Sequence, residues 1–183
     1  MSDNRLIITY LDHNNIEHRK AVANLHAKLL PDSYLSMLGC EFLEDYYYKL
    51  LIQSEIINCL ICLSNNKYVG FVVYTKFPFS FMLIGLKKYF SKFLFFFIKK
   101  IFTKPKIIMS LIKIVKESIS RKFSKKLTNS ESELLSIGVL TDHYREVARK
   151  RKFDSNKKDL NTESQTSHLL IDNVINKCKN DGI

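Results

Sequence analysis

The residue types and spacings most suited to chemistry lie between Glu133 and Gly182. A short apolar run opens this stretch. Glu133, Leu135, Ile137 and Val139 alternate with Leu134, Ser136, Gly138 and Leu140, the pattern of a half-buried strand. A polar, basic loop follows from Thr141 to about Asn161. Then Leu170, Ile171, Val174, Ile175 and Cys178 recur at helical spacing. Strand, loop and helix in this order can hold phosphate, because the free N–H groups of a new helix face an anion. The amides of Gln165, Thr166, Ser167 and His168 are the candidate donors. The run Arg149, Lys150, Arg151, Lys152 would add charge, and a solvated loop is its alternative reading.

Other chemistry-bearing residues are less organised. Cys59 and Cys62 form a Cys-x-x-Cys, but three positions apart on a strand they point to opposite faces. They are expected as buried apolar thiols rather than as a metal or redox site. The five histidines form no readable constellation, and surface or capping roles are expected for most of them. Tyr46, Tyr47 and Tyr48 read as core plus rim, with one able to line an acceptor site.

These residues need elements to position them. Arg5 to Leu11 reads as a first strand. Glu17 to Leu30 carries Ala21, Val22, Leu25 and Leu29 on one helix face, and Pro31 ends it. A second helix runs from Ser33 to Gln53 with a break near Gly39. Strands follow at Ile56 to Leu63 and Tyr68 to Tyr74, joined by a turn at Asn65, Asn66 and Lys67. Glu133 to Leu140 is the fourth strand. Thr162 to Gln165 has the form of a capping box for the last helix, and Gly182 would end it.

With 183 residues and 46% apolar content, the chain suits one domain. The net charge of +11 is concentrated in one place: residues 76–126 hold fourteen Lys and Arg against Glu117 alone. Residues 76–127 read as an insertion of two amphipathic helices. In the first, Lys87, Lys88, Lys92, Lys99 and Lys100 oppose Phe90, Phe93, Leu94, Phe97 and Ile101. In the second, after Lys104 and Pro105, a face of Ile108, Leu111, Ile112, Val115 and Ile119 opposes Lys113, Lys116 and Glu117. The longest charge-free run, Phe77 to Leu86, is too short to span a bilayer. The apolar faces either pack on each other or on the domain, lie on anionic lipid through residues 80–127, or hold nucleic acid. Abundant Leu and Ile, with little Arg or Gly, favour lipid over bases, so nucleic acid is not the expected partner. Four cysteines without a disulfide framework, and a polar start, suit a reduced cytoplasmic protein that could reach the inner membrane face.

The phrase ELLSIGVL…YR…LLIDNVINKCKNDGI resembles the acetyl-CoA-binding core of the GNAT superfamily of N-acetyltransferases. LLPDSYLSMLGCEFLEDYYYKLL is similar to the two-helix segment of a bacterial subgroup, which walls the acceptor side of the cleft. The resemblance implies an α/β (α+β) fold: an acetyltransferase-like mixed sheet with flanking helices, here carrying the inserted helical pair. It implies acetyl-CoA as acyl donor and a small amine as acceptor, such as an amino sugar or a lipid-linked amine. Glu133 would be the base, directly or through water. Ile137, Gly138 and Val139 would meet pantetheine and thioester through their backbone.

The family holds pyrophosphate with Arg/Gln-x-x-Gly-x-Gly/Ala. In one register Arg145 takes the first position, with Ala148 and Lys150 at the glycines. In the preferred register Leu169 and Leu170 match the family's apolar pair, Ser164 and Thr166 stand at the glycines, and Arg145 to about Glu163 is an insertion. The family pattern continues with a fifth strand where this sequence stops, so weak or absent activity is expected of this chain. The competing expectation is a non-catalytic membrane-surface or scaffold module.

Overall fold

The computed structural model describes residues 6–78, 80–103, 116, 120, 132–140 and 162–180. These residues form an α+β structure around a four-stranded sheet in the order β1-β2-β3-β4. The strands are β1 (Leu6–Tyr10), β2 (Asn58–Ser64), β3 (Lys67–Thr75) and β4 (Glu133–Val139). Every neighbouring pair is antiparallel. This corrects the expectation of a mixed sheet: each pairing among the described strands joins chain neighbours running in opposite directions, and none is a parallel crossover.

The hairpin between β2 and β3 turns at Asn65 and Asn66, with φ of 50° and 59°. Two successive positive φ values are what the right-handed twist of a two-residue hairpin needs, and asparagine tolerates them. Helix α1 (Ile16–Leu29) begins where the Asn15 side chain accepts from the amides of Glu17 and His18. The chain then breaks at Gly39, with φ of 94°, between α2 (Tyr34–Met37) and α3 (Cys40–Phe42). Helix α3 runs directly into a π-helical stretch, Leu43–Leu51.

Two apolar layers result. On one face of the sheet, Phe71, Val73, Cys59 and Ile61 pack against α1 and the π-helical stretch. On the other, Leu60, Cys62, Val72 and Tyr74 receive Leu170, Val174 and Cys178 of the last helix, α6 (Thr162–Asn180). The two cysteines of the Cys-x-x-Cys therefore lie on opposite faces of the sheet. Burial raises both thiol pKa values, that of Cys62 to about 11. Among the described residues no group of His, Cys, Asp or Glu could hold a metal ion.

The inserted segment departs from its expected helical wheel. Helix α4 (Phe81–Lys88) ends at Tyr89, and α5 (Phe90–Thr103) starts a new axis. The Tyr89 hydroxyl lies 2.7 Å from Ser54 Oγ, which pins this joint to the end of the π-helical stretch. Gly85 lets α4 approach closely, since a Cβ there would stand 2.6 Å from Leu51 Cδ2. Phe93 and Phe96 pack on the core, whereas Phe90 and Leu94, expected on the same face as Phe93, are exposed. Residues 108–115 and 117–119 of the second expected helix lie outside the described residues. No described helix is long and apolar enough to cross a membrane. Helix α6 starts with Thr162 as its first helical residue, where the capping box would put it just before the helix, and Gly182 lies outside the described residues.

Candidate functional site

Strand β4 is the edge of the described sheet. Its free side follows from its pairing. The Leu140 amide donates to the Val69 carbonyl at 2.8 Å, and in register with it Gly138 faces Phe71 and Ser136 faces Val73. An antiparallel ladder bonds alternate pairs, so the peptide groups of Ile137 and Val139 point away from β3. Their side chains pack with the α6 layer. Gly138 lies against the α1 layer: a Cβ there would stand 2.7 Å from Phe71 Cε1 and 2.9 Å from Leu29 Cδ1. Phe71 cannot yield, because it is fully buried and stacked on His26 with ring centroids 5.2 Å apart. Gly138→Val is expected to cost about 1–3 kcal/mol through overpacking. Urea denaturation would show this as a lower midpoint with an unchanged slope.

Glu133 pairs with Thr75 at the start of β4 and is half-buried. It lies close enough to the Tyr47 hydroxyl to help raise that group's pKa, behind the larger effects of burial and of Cys59. Ser136, on the same side, acts in the opposite direction. The Tyr47 hydroxyl and Ser136 Oγ are both buried and face each other, with no other hydrogen-bond partner among the described residues. Two facing hydroxyls beside a carboxylate, next to the edge strand of the described sheet, form a polar cluster that can orient a polar group or a water.

The second polar pair lies deeper. His26 Nδ1 and the Tyr48 hydroxyl are 2.7 Å apart in the core. Desolvation lowers the His26 pKa to about 4 and raises that of Tyr48, so both are neutral near pH 7. The expectation of surface or capping roles does not hold for His26, whose ring lies between Phe71, Tyr47 and Tyr48. The available sign was its place beside Val22 and Leu25 on the apolar face of α1.

The last helix meets the end of β4: a Cβ on Gly70, which pairs with Val139, would stand 3.4 Å from Leu170 Cδ1. Arg145 lies outside the described residues. Helix α6 begins at Thr162, so the amides of Thr166, Ser167 and His168 point to the helix's own carbonyls at 162–164. An anion at this end would meet earlier amides, with Gln165 at their limit. The His168 side chain is exposed, and Ser167 is half-buried. A separate cleft of about 330 Å³ opens on the α6 face beside β1, lined by Ile8, Tyr10, Leu60, Asn173, Asn176 and Lys177. It contains none of the residues singled out from the sequence.

Acetyl-CoA can be tested against this arrangement. A pantetheine arm carries two amides and pairs as a strand does, and the outward peptide groups of Ile137 and Val139 suit it. The facing hydroxyls of Tyr47 and Ser136 and the Glu133 carboxylate add polar groups at the same strand. No protein-family model, curated protein or solved structure matches this chain at a significant level.

Proposed function

We propose that this chain is an acyl-CoA-dependent N-acyltransferase domain that transfers an acetyl group to a small amine. The observation that carries the reading is the edge position of β4 in the described sheet: its pairing turns the peptide groups of Ile137 and Val139 away from β3, on the strand that also carries Glu133 and Ser136. The element order supports it too, with a broken helix between β1 and β2 and a helix after β4 on the opposite face.

When bound, the thioester supplies an activated acyl group. Ile137 and Val139 would hold the arm along the edge by main-chain hydrogen bonds. An outward N–H there would also face the carbonyl oxygen on which charge develops, and such preplaced donors lower acyl-transfer barriers. The Glu133 carboxylate would take the proton that an attacking ammonium must lose, directly or through one water. Ser136 and Tyr47 would orient the acceptor or that water.

Amide hydrogen exchange during an acetyl-CoA titration tests the reading. In the free chain the Ile137 and Val139 amides, which have no ladder partner among the described residues, should exchange fast. Acetyl-CoA should slow them, with a Kd weaker than about 100 µM but saturable below about 10 mM. Unchanged exchange at 10 mM acetyl-CoA would remove the basis for an acyltransferase.

A further inference from the structure

Helix α5 is apolar on two sides, and the fold uses one of them. Phe93 meets Phe42 and Tyr46 with ring centroids 6.2 and 5.6 Å apart, and Phe96 meets Phe42 at 6.3 Å. The other side stands in water. Phe90, Leu94 and Ile98, four residues apart, are 58%, 39% and 48% exposed, and Phe95 beside them is 66% exposed. Lys87, Lys88 and Lys92 next to this stripe are exposed. No Asp or Glu occurs between Glu55 and Glu117, so every formal side-chain charge on α4 and α5 is positive.

We propose that the exposed stripe of α5 seats the protein on an anionic lipid bilayer, with Phe90, Leu94, Phe95 and Ile98 among the acyl chains and the lysines at the headgroups. Lipid satisfies both features at once. Apolar side chains leave water, and the lysines meet negative charge instead of one another. A second copy of this chain would bring a like-charged field against the stripe. A nucleic acid would answer the charge, but Leu94 and Ile98 offer bases nothing to stack on, and α4 and α5 contain no Arg. At 14 residues α5 is about 21 Å long, which suits a helix lying in the interface and not one crossing it. The proposal uses neither β4 nor acetyl-CoA, so it stands or falls apart from the acyltransferase reading.

The chain has no tryptophan, so Phe95→Trp provides a single probe in the full-length protein. Its emission should be water-like in the free protein. Phosphatidylcholine vesicles containing roughly one-third phosphatidylglycerol should shift it to the blue and shield it from iodide, and pure phosphatidylcholine should do so at least tenfold less effectively. In vesicle sedimentation, the double variant Phe90→Ser/Phe95→Ser should bind at least tenfold more weakly. Lys87→Gln/Lys88→Gln/Lys92→Gln should lose about 100-fold. Both should keep the circular dichroism of the parent. Blue, unresponsive emission before vesicles are added would overturn the proposal, because another segment or a second copy would then cover the stripe. Equal binding to both vesicle types, binding that survives the double serine variant, or a stronger response to single-stranded RNA would overturn it as well.

Discussion

Tyr48→Ala is expected to destabilise the protein by about 3–5 kcal/mol, the range for removing a large, fully buried aromatic side chain. Tyr48 is held edge-on by Tyr47, with centroids 5.1 Å apart, and by His26 at 6.0 Å. Its removal therefore opens a cavity between α1 and the π-helical stretch, where neither wall can collapse without moving the sheet. Tyr48→Phe separates the ring from its hydroxyl. The phenyl ring fills the same volume, but His26 Nδ1 loses its partner at 2.7 Å and stays buried, at a cost of about 1–3 kcal/mol. Urea denaturation of the three proteins near pH 7 gives the comparison. A phenylalanine variant as stable as the parent would show that the His26–Tyr48 contact contributes nothing net. An alanine variant losing under about 1 kcal/mol would show that the core around Tyr48 is not packed as described.

The burial of Tyr48 also shows where the sequence was legible and where it was not. Local signals read well. Pro31 after α1, Gly39 at the helix break, the paired asparagines of the hairpin and Thr162 at the start of α6 each act through backbone chemistry that a few neighbours decide. The opposite faces of Cys59 and Cys62 follow from strand period alone. The fate of Tyr46, Tyr47 and Tyr48 depended on distant residues. On an isolated helix three consecutive side chains sweep about 200°, so one should reach solvent. Here the wider π-helical turn narrows that sweep. Phe93 then covers Tyr46 from the inserted segment while α1 and the sheet cover the other two. The same contact divides the apolar side chains of α5 into a packed set and an exposed one, a division that a helical wheel cannot contain because both sets are phenylalanine-rich. Tyr89 interrupts the wheel as well, held by a serine 35 residues earlier. At the candidate site, the strand pattern of β4 was readable. The outward direction of Ile137 and Val139 required the register with β3, and the meeting of the Tyr47 and Ser136 hydroxyls required the packed core.

Acid should expose the other half of the buried pair. His26 has a pKa near 4 in the folded protein against 6.5 for an exposed imidazole, because burial disfavours its charged form. Between these values the unfolded chain binds the proton and the folded chain does not, so stability falls as pH falls. Well above pH 6.5 the group contributes no slope. The loss attributable to His26 should be about 1 kcal/mol at pH 5.5 and grow to about 3 kcal/mol near the folded pKa. Carboxylates titrate in the same range, so the measurement is a difference. Urea denaturation of the parent and of His26→Gln is compared at pH 7, 5.5 and 4.5. The glutamine variant starts less stable, because an amide replaces a ring stacked on Phe71, but its decline with acid should be shallower by the amounts above. Tyr48→Phe should keep the steep decline, since it retains the buried imidazole and removes only its partner. Parallel pH profiles for the parent and His26→Gln would mean that His26 takes up its proton as easily folded as unfolded, which a ring enclosed by Phe71, Tyr47 and Tyr48 cannot do without opening α1 from the sheet.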